Sequence, residues 1–272
     1  MSGTIGMRLA PRVVLICHRE ARIDVEGLAS WLAQSFDLVG MVVLREPPQV
    51  FLKRARREIR RSGVLGFLDV LAFRAYYTLW LTRSDAAWIN GEVARLREQY
   101  PADLDRIPRL TVSNPNTQEV RSFLESLRPD LMIARCKVLL RPEIFDLPLH
   151  GTFVFHPGIC PEYRNSHGCF WALSNRDLGR VGMSLLRADR GVDTGPLYFQ
   201  STCTFDEARE SHVIIQHRVV LANLEAIRDA LWSVCTGARE PIPTEGRRSA
   251  VWGQPRLSAY LRWKRAARKT VA

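Results

Sequence analysis

The residues best suited to chemistry lie in two short segments. The first, FHPGICPEYRNSHGCFWALSNRD, covers residues 155–177, and the second, GVDTGPLYFQ, covers 191–200. His156 closes an apolar run just before Pro157 and Gly158. Ligands bind at the carboxyl ends of strands in an open parallel sheet, so a histidine there is placed to reach a substrate. Asp193 lies in a glycine-rich turn, where a carboxylate can sit beside a pocket, hold a histidine's charge and accept a proton. Alone, each has a plain structural role, as a strand-end histidine or a turn-forming aspartate. Only if the fold brings them together would they point to a site.

The elements that must carry them can be read from hydrophobic pattern. RVVLIC (12–17) and VGMVVL (39–44) are short, continuous and apolar, as expected of strands buried on both faces of a parallel sheet. IDVEGLASWLAQSF between them has helical spacing, which gives a β-α-β unit. Residues 17–27 read CHREARIDVEG and lack the GxGxxG of a dinucleotide binder. Residues 50–100 are expected to be a helical insertion, 101–118 a loop, and Thr117 to Leu127 a helix capped by Asn116 or Thr117. A buried strand follows Pro129, then a helical turn after Pro142, the strand GTFVFH and a helix over 166–176. Two strands, GMSLLRAD and LYFQSTCTF, flank the turn RGVDTGP. One helix is expected over about 206–235, then a loop and a basic tail. The fold class is therefore α/β, a Rossmann-like open and mostly parallel sheet. The expected catalytic domain spans 1–205, with the insertion at about 50–100 and a helical extension over 206–272.

The ordered motifs resemble those of the folate-dependent formyltransferases. That family has an N-x-H-P strand end, L-P-x-Y-R-G, W-A-x-x-N, then a glycine, D-x-G-P-I and a final glutamine. Here they correspond to His156-Pro157, Pro161, Tyr163-Arg164, Trp171-Ala172, Asn175, Gly182, Asp193, Gly195-Pro196 and Gln200. The resemblance covers 120–200 well and 12–46 loosely. It implies transfer of a formyl group from N10-formyltetrahydrofolate to an amine, with His156 stabilising charge on the formyl oxygen and Asp193 accepting the amine's proton. It also implies a pterin site along Lys137, Val138, Leu139 and Leu140, closed by the turn from Asp189 to Asp193. From the residue types alone, 138–140 suit plain core packing better.

One position departs from the pattern. Val154 stands where the family has an asparagine that serves the developing oxyanion. Asn165, after Tyr163-Arg164, is the candidate replacement, although Asn165, Ser166 and His167 also suit a helix cap. A catalytically impaired or non-enzymatic relative is thus the alternative reading. His156, Cys160, His167 and Cys169 give H-x3-C-x6-H-x-C, but zinc ligands come in tighter pairs, and no metal is expected.

The formal net charge of +11 favours acidic partners. The excess concentrates at Lys53–Arg61 and at Arg262–Lys269. A phosphorylated small-molecule amine, such as a nucleotide-linked amino sugar, is the expected acceptor. Too little chain follows Gln200 for the additional barrel that the tRNA-acting members carry, so nucleic acid is not expected and methionyl-tRNA is the lesser alternative. VLGFLDVLAFRAYYTLWL (64–81) is apolar, but Asp69 and Arg74 make it costly as a membrane span. A helix packed on the protein, or a peripheral membrane or protein contact through 50–82, is expected instead. The six cysteines form no CxxC pair, and the N-terminus shows no secretory leader. Both point to a reducing cytoplasm.

Overall fold

A computed structural model describes residues 10–45 and 50–271. The leader reading rests partly on residues 1–9, which lie outside the described residues, as do the side chains of Lys53, Arg54 and Arg57 in the basic run. The strands are β1 (Arg12–His18), β2 (Asp37–Leu44), β3 (Arg109–Val112), β4 (Leu131–Arg135), β5 (Thr152–His156), β6 (Arg164–Asn165), β7 (Gly182–Arg187), β8 (Leu197–Thr202) and β9 (Val251–Trp252). Seven form one sheet in the order β3-β2-β1-β4-β5-β7-β8, while β6 pairs with β9. Pairing is parallel from β3 through β5 and antiparallel from β5 to β8. This is the expected open, mostly parallel sheet.

Val13 to Cys17 are wholly buried because helices cover both faces of the central strands. Val13, Leu15 and Cys17 join Trp31, Phe153 and Phe155 in the larger core. Val14 and Ile16 face the other way, onto Val42, Leu124 and Ile144. The covering helices include α1 (Ala29–Ser35), preceded by a wide π-type turn over Ile23–Leu28. The insertion holds α2 (Val50–Tyr76), broken at Gly63, a π-type turn at Tyr77–Leu81, and α3 (Thr82–Gln99). After it come α4 (Gln118–Leu127), α5 (Pro142–Phe145) and α6 (Gly168–Ser174). The Thr117 hydroxyl caps α4 by accepting from the Val120 N–H at 3.4 Å, as expected.

Three local readings change. The stretch 101–118 is not all loop, since β3 adds to the edge of the sheet beside β2. The long helix at 206–235 is two, α7 (His212–Leu221) and α8 (Leu224–Cys235), separated at Asn223, whose amide turns back to the Val219 carbonyl at 2.8 Å. The basic tail is a helix, α9 (Leu257–Val271), with Trp263 and Ala267 wholly buried. Its cations alternate with apolar residues at helical spacing, so one face packs while the other stays in water. Trp263 also donates to Glu207 at 3.1 Å. Trp263→Ala is expected to cost about 3–5 kcal/mol, read as a lower urea midpoint; an unchanged midpoint would show that α9 merely rests on the core.

Candidate active site

His156 is the last residue of β5 and only 5% exposed. Its Nε2–H donates to the Tyr163 carbonyl at 2.7 Å, and its Nδ1 lies 3.4 Å from the Asp193 carboxylate. Burial alone would strip the ring of its proton. The Asp193 charge overcomes this, helped by Cys160 and the Tyr163 carbonyl, and His156 is pushed up to about 10. The site is therefore built around an imidazolium with an acceptor on each side.

Each neighbour is held by the loops at this end of the sheet. The Ser184 hydroxyl donates to the Gly158 carbonyl at 2.7 Å and accepts from the Cys160 N–H at 2.9 Å. The Gln200 amide donates to the Cys160 carbonyl at 2.7 Å and to Ser184 at 2.9 Å. These bonds set the loop that aims the Tyr163 carbonyl. Gly158 and Gly168 face each other across it. A methyl on Gly158 would meet His156 Nε2 and the Tyr163 oxygen, both at 2.7 Å. The loop can pass this close to the ring only because no side chain intervenes.

Asp193 arrives by a long turn. The turn leaves β7 beside Thr152, at the far end of β5, where the Ala188 N–H donates to the Thr152 carbonyl at 2.7 Å. It then runs back to bring Asp193, in the left-handed region at φ 51°, against His156. Asp189 braces the turn from within, accepting from the Gly191 N–H at 2.9 Å and the Thr194 hydroxyl at 2.8 Å.

Asn165 joins the pair, but through its backbone. Its N–H donates to Asp193 at 2.7 Å, while its side-chain amide is turned to the Trp252 carbonyl. It caps no helix. His167 occupies the N-cap of α6 without a side-chain cap bond. Val154 lies two residues before His156 on the same strand face, half-buried against the smaller core. Lys137, Val138, Leu139 and Leu140 leave β4 next to the end of β5, in the register set by Ala134 opposite Val154. The Lys137 N–H donates to His18 at 3.0 Å, and Asn116 grips the loop at the Leu139 carbonyl (3.0 Å) and the Arg141 N–H (2.7 Å). Leu140 is buried, whereas Leu139 is 57% exposed. Among the described residues no three histidine, cysteine or acidic side chains gather as metal ligands. Cys169 instead donates to the Gly182 carbonyl at 3.3 Å, and burial pushes its thiol far up.

Two parts of the site escaped the sequence reading. Arg135, at the end of β4, pairs with buried Asp24 at 2.9 Å and donates to the Phe155 carbonyl at 2.6 Å, fixing the backbone just before His156. The spacing of two ordinary charged residues carried no signal of this. The second part is a strap from the chain's last quarter. β9 pairs with β6, Trp252 stacks on Tyr163 at 5.5 Å and on Trp171 at 5.1 Å, and Trp171 donates to the Gly253 carbonyl at 2.9 Å. Arg247 ties the strap down through Glu162 at 2.6 Å and Gln200 at 3.1 Å. Nearby His167 and His217 sit neutral, lowered to about 4, mainly by burial, with the charges of Lys137 and Arg135 respectively adding to it.

The raised His156 value makes the pair stabilising at low pH. The contribution is full below about 6.5, the ordinary imidazole value, and is lost as pH rises through about 10. The stability gap between the native chain and Asp193→Asn is expected to be largest below pH 6.5 and to close toward pH 10. Nitrogen-detected histidine spectra should show His156 charged at pH 8 in the native chain and neutral in that variant. A His156 neutral at pH 8 in both would remove the ion pair. Separately, Asp24→Ala should cost about 3–5 kcal/mol by stranding Arg135 in the interior, while Asp24→Leu with Arg135→Met should recover most of it, both measured by denaturant titration.

The sequence model of the Formyl transferase family matches residues 79–231. The chain is 25% identical over 164 residues to the mitochondrial 10-formyltetrahydrofolate dehydrogenase of Homo sapiens, covering 60% of this chain and 18% of that protein. It is 27% identical over 130 residues to the methionyl-tRNA formyltransferase of Thermotoga neapolitana, covering 45% of this chain and 41% of that protein. The chain thus spans less than half the length of either relative. Among solved structures, a sugar N-formyltransferase from Shewanella sp FDAARGOS_354 shares the fold, with a TM-score of 0.52 at 13% identity over 89% of this chain and 76% of that one. With the family match extending over more than half of its residues, the chain belongs to the formyl transferase family.

Proposed function

We propose that this chain moves a formyl group from N10-formyltetrahydrofolate to the amine of a small phosphorylated acceptor, working in the cytoplasm. The observation that carries this reading is the buried His156–Asp193 pair, 3.4 Å apart at the carboxyl end of β5. The folate, when bound, supplies an activated formyl carbon. Attack by the amine builds negative charge on the formyl oxygen. His156, kept protonated by Asp193, balances that charge, and such electrostatic stabilisation is usually the largest catalytic term. To do so its Nε2–H exchanges the Tyr163 carbonyl for the substrate oxygen. Asp193 takes the proton that the amine sheds, directly or through water. The new C–N bond forms as the bond to the folate nitrogen breaks, and a proton from His156 goes to that nitrogen. Asn165 acts as a positioning residue, since its N–H holds the Asp193 carboxylate.

The stretch Lys137–Leu140 suits a flat ring. Its backbone is pinned by His18 and Asn116, and the exposed Leu139 with half-exposed Val138 offers a stiff apolar wall. The turn from Asp189 to Asp193 covers the donor from the other side. Positive charge suits an acceptor bearing phosphates, such as a nucleotide-linked amino sugar.

A second reading, a relative that binds without transferring, draws on Val154 and on both His156 nitrogens being engaged. Formyl transfer assays with a panel of amino sugars separate the two. His156→Ala and Asp193→Ala are each expected to lower kcat about 10²- to 10⁴-fold. Val154→Asn, which restores an amide at the family position, should raise kcat by up to about 100-fold. Donor binding without transfer in either the native chain or Val154→Asn would favour the binding protein.

A further inference from the structure

The insertion has two apolar sides, and the fold uses only one. On the inner side Val70 and Phe73 are 1% and 4% exposed, and Phe73 packs against Phe170, His212 and Tyr260. The outer side carries Leu65, Leu68, Ala72, Ala75 and Leu79, all exposed, at spacings of three and four that align them along one helix face. Leu65 is 84% exposed, Leu68 53% and Leu79 71%; beside them Trp80 is 64% exposed. An ordinary surface helix puts charge on that face. Among the described residues that stripe itself carries no charge: Asp69 and the exposed Arg74 fall off it by helical spacing, and the exposed Arg56 and Arg60 precede it and Arg83 follows it.

We propose that this stripe docks the protein on an anionic membrane surface, with the helix lying in the plane of the headgroups. Two observations choose this occupant. The first is charge complementarity. α9 runs beside α2, and its Arg265 and Arg268 border a groove shared with Tyr76 and Leu81, next to the end of the stripe. Arginines at both ends and along one flank, with an indole at the boundary, match an apolar face sunk among acidic headgroups. The second is that the helix is long and apolar enough to cross a bilayer, yet is fastened to the protein on its inner side. The Asp69 carboxylate accepts from the Ser258 N–H at 3.0 Å and from the Ser258 hydroxyl, which caps α9 from outside. Crossing the bilayer would pull Asp69 and Phe73 from these partners, whereas lying on it leaves them in place.

The test is flotation of the full chain with vesicles of phosphatidylcholine alone or with 30% phosphatidylglycerol, at low and high salt. Binding should require the anionic lipid and weaken with salt, falling about fivefold for each arginine lost in Arg265→Gln and Arg268→Gln. Leu65→Glu with Leu79→Glu should abolish flotation while leaving the circular dichroism spectrum and urea midpoint unchanged. Brominated lipid should quench tryptophan emission in the native chain, and Trp80→Phe should remove most of that quenching. No flotation on anionic vesicles at low salt overturns the proposal, as does equal flotation by the double glutamate variant. Resistance to alkaline carbonate extraction would instead mean a span. Self-association without vesicles, abolished by the same glutamates, would assign the stripe to a second copy of this chain.

Discussion

A charged imidazole can stay buried only if negative charge or lone pairs flank its ring. His156 meets that demand with the Asp193 carboxylate on one side and the Tyr163 carbonyl on the other. Much of the surrounding architecture serves those two acceptors. Ser184 and Gln200 set the loop that presents the carbonyl, and Gly158 and Gly168 let it come within hydrogen-bonding distance. The Asn165 N–H and the long turn after β7 set the carboxylate. Remove the Asp193 charge and burial presses the ring toward its neutral form, as it does for His167 and His217.

The same balance between burial and charge governs the helical part. Asp69 and Arg74 interrupt an otherwise apolar run, and Asp69 is satisfied by the amino end of α9. Lys264 sits 8% exposed in α9, donating to the Glu207 carbonyl at 2.8 Å, and burial lowers it to about 8. Asp69 and Lys264 thus each find fixed partners, while the apolar stripe of α2 faces out.

The parallel core was legible because buried strands such as Val13–Cys17 leave an unbroken apolar run, and the motif order from His156 to Gln200 pointed to the family and to a candidate site. What stayed hidden depends on contacts distant in sequence. β3 is four residues on the sheet edge with alternate exposure, too short to show a period. The break at Asn223 follows from a side-chain bond inside a helical pattern. β9 is two residues long and gains its meaning from Tyr163 and Trp171, about eighty to ninety residues earlier. Asn165 stood out by position as a side-chain amide, but φ 73° and the Trp252 carbonyl turn that amide away and leave its backbone N–H on Asp193.

The strap also imposes an order of assembly on the newborn protein. A chain leaves the ribosome amino end first and folds as it emerges. All seven strands of the main sheet are available once Thr202 is out, so His156 and Asp193 can meet before Trp252 has been made. Asn165 gains its second anchor, and Tyr163 its stacking partner, only when Trp252 arrives. A nascent or truncated chain lacking that segment would hold the His156–Asp193 pair without the Trp252 carbonyl that anchors Asn165 beside it. The loop beside His156 thus waits for an anchor that lies 87 residues further along the chain.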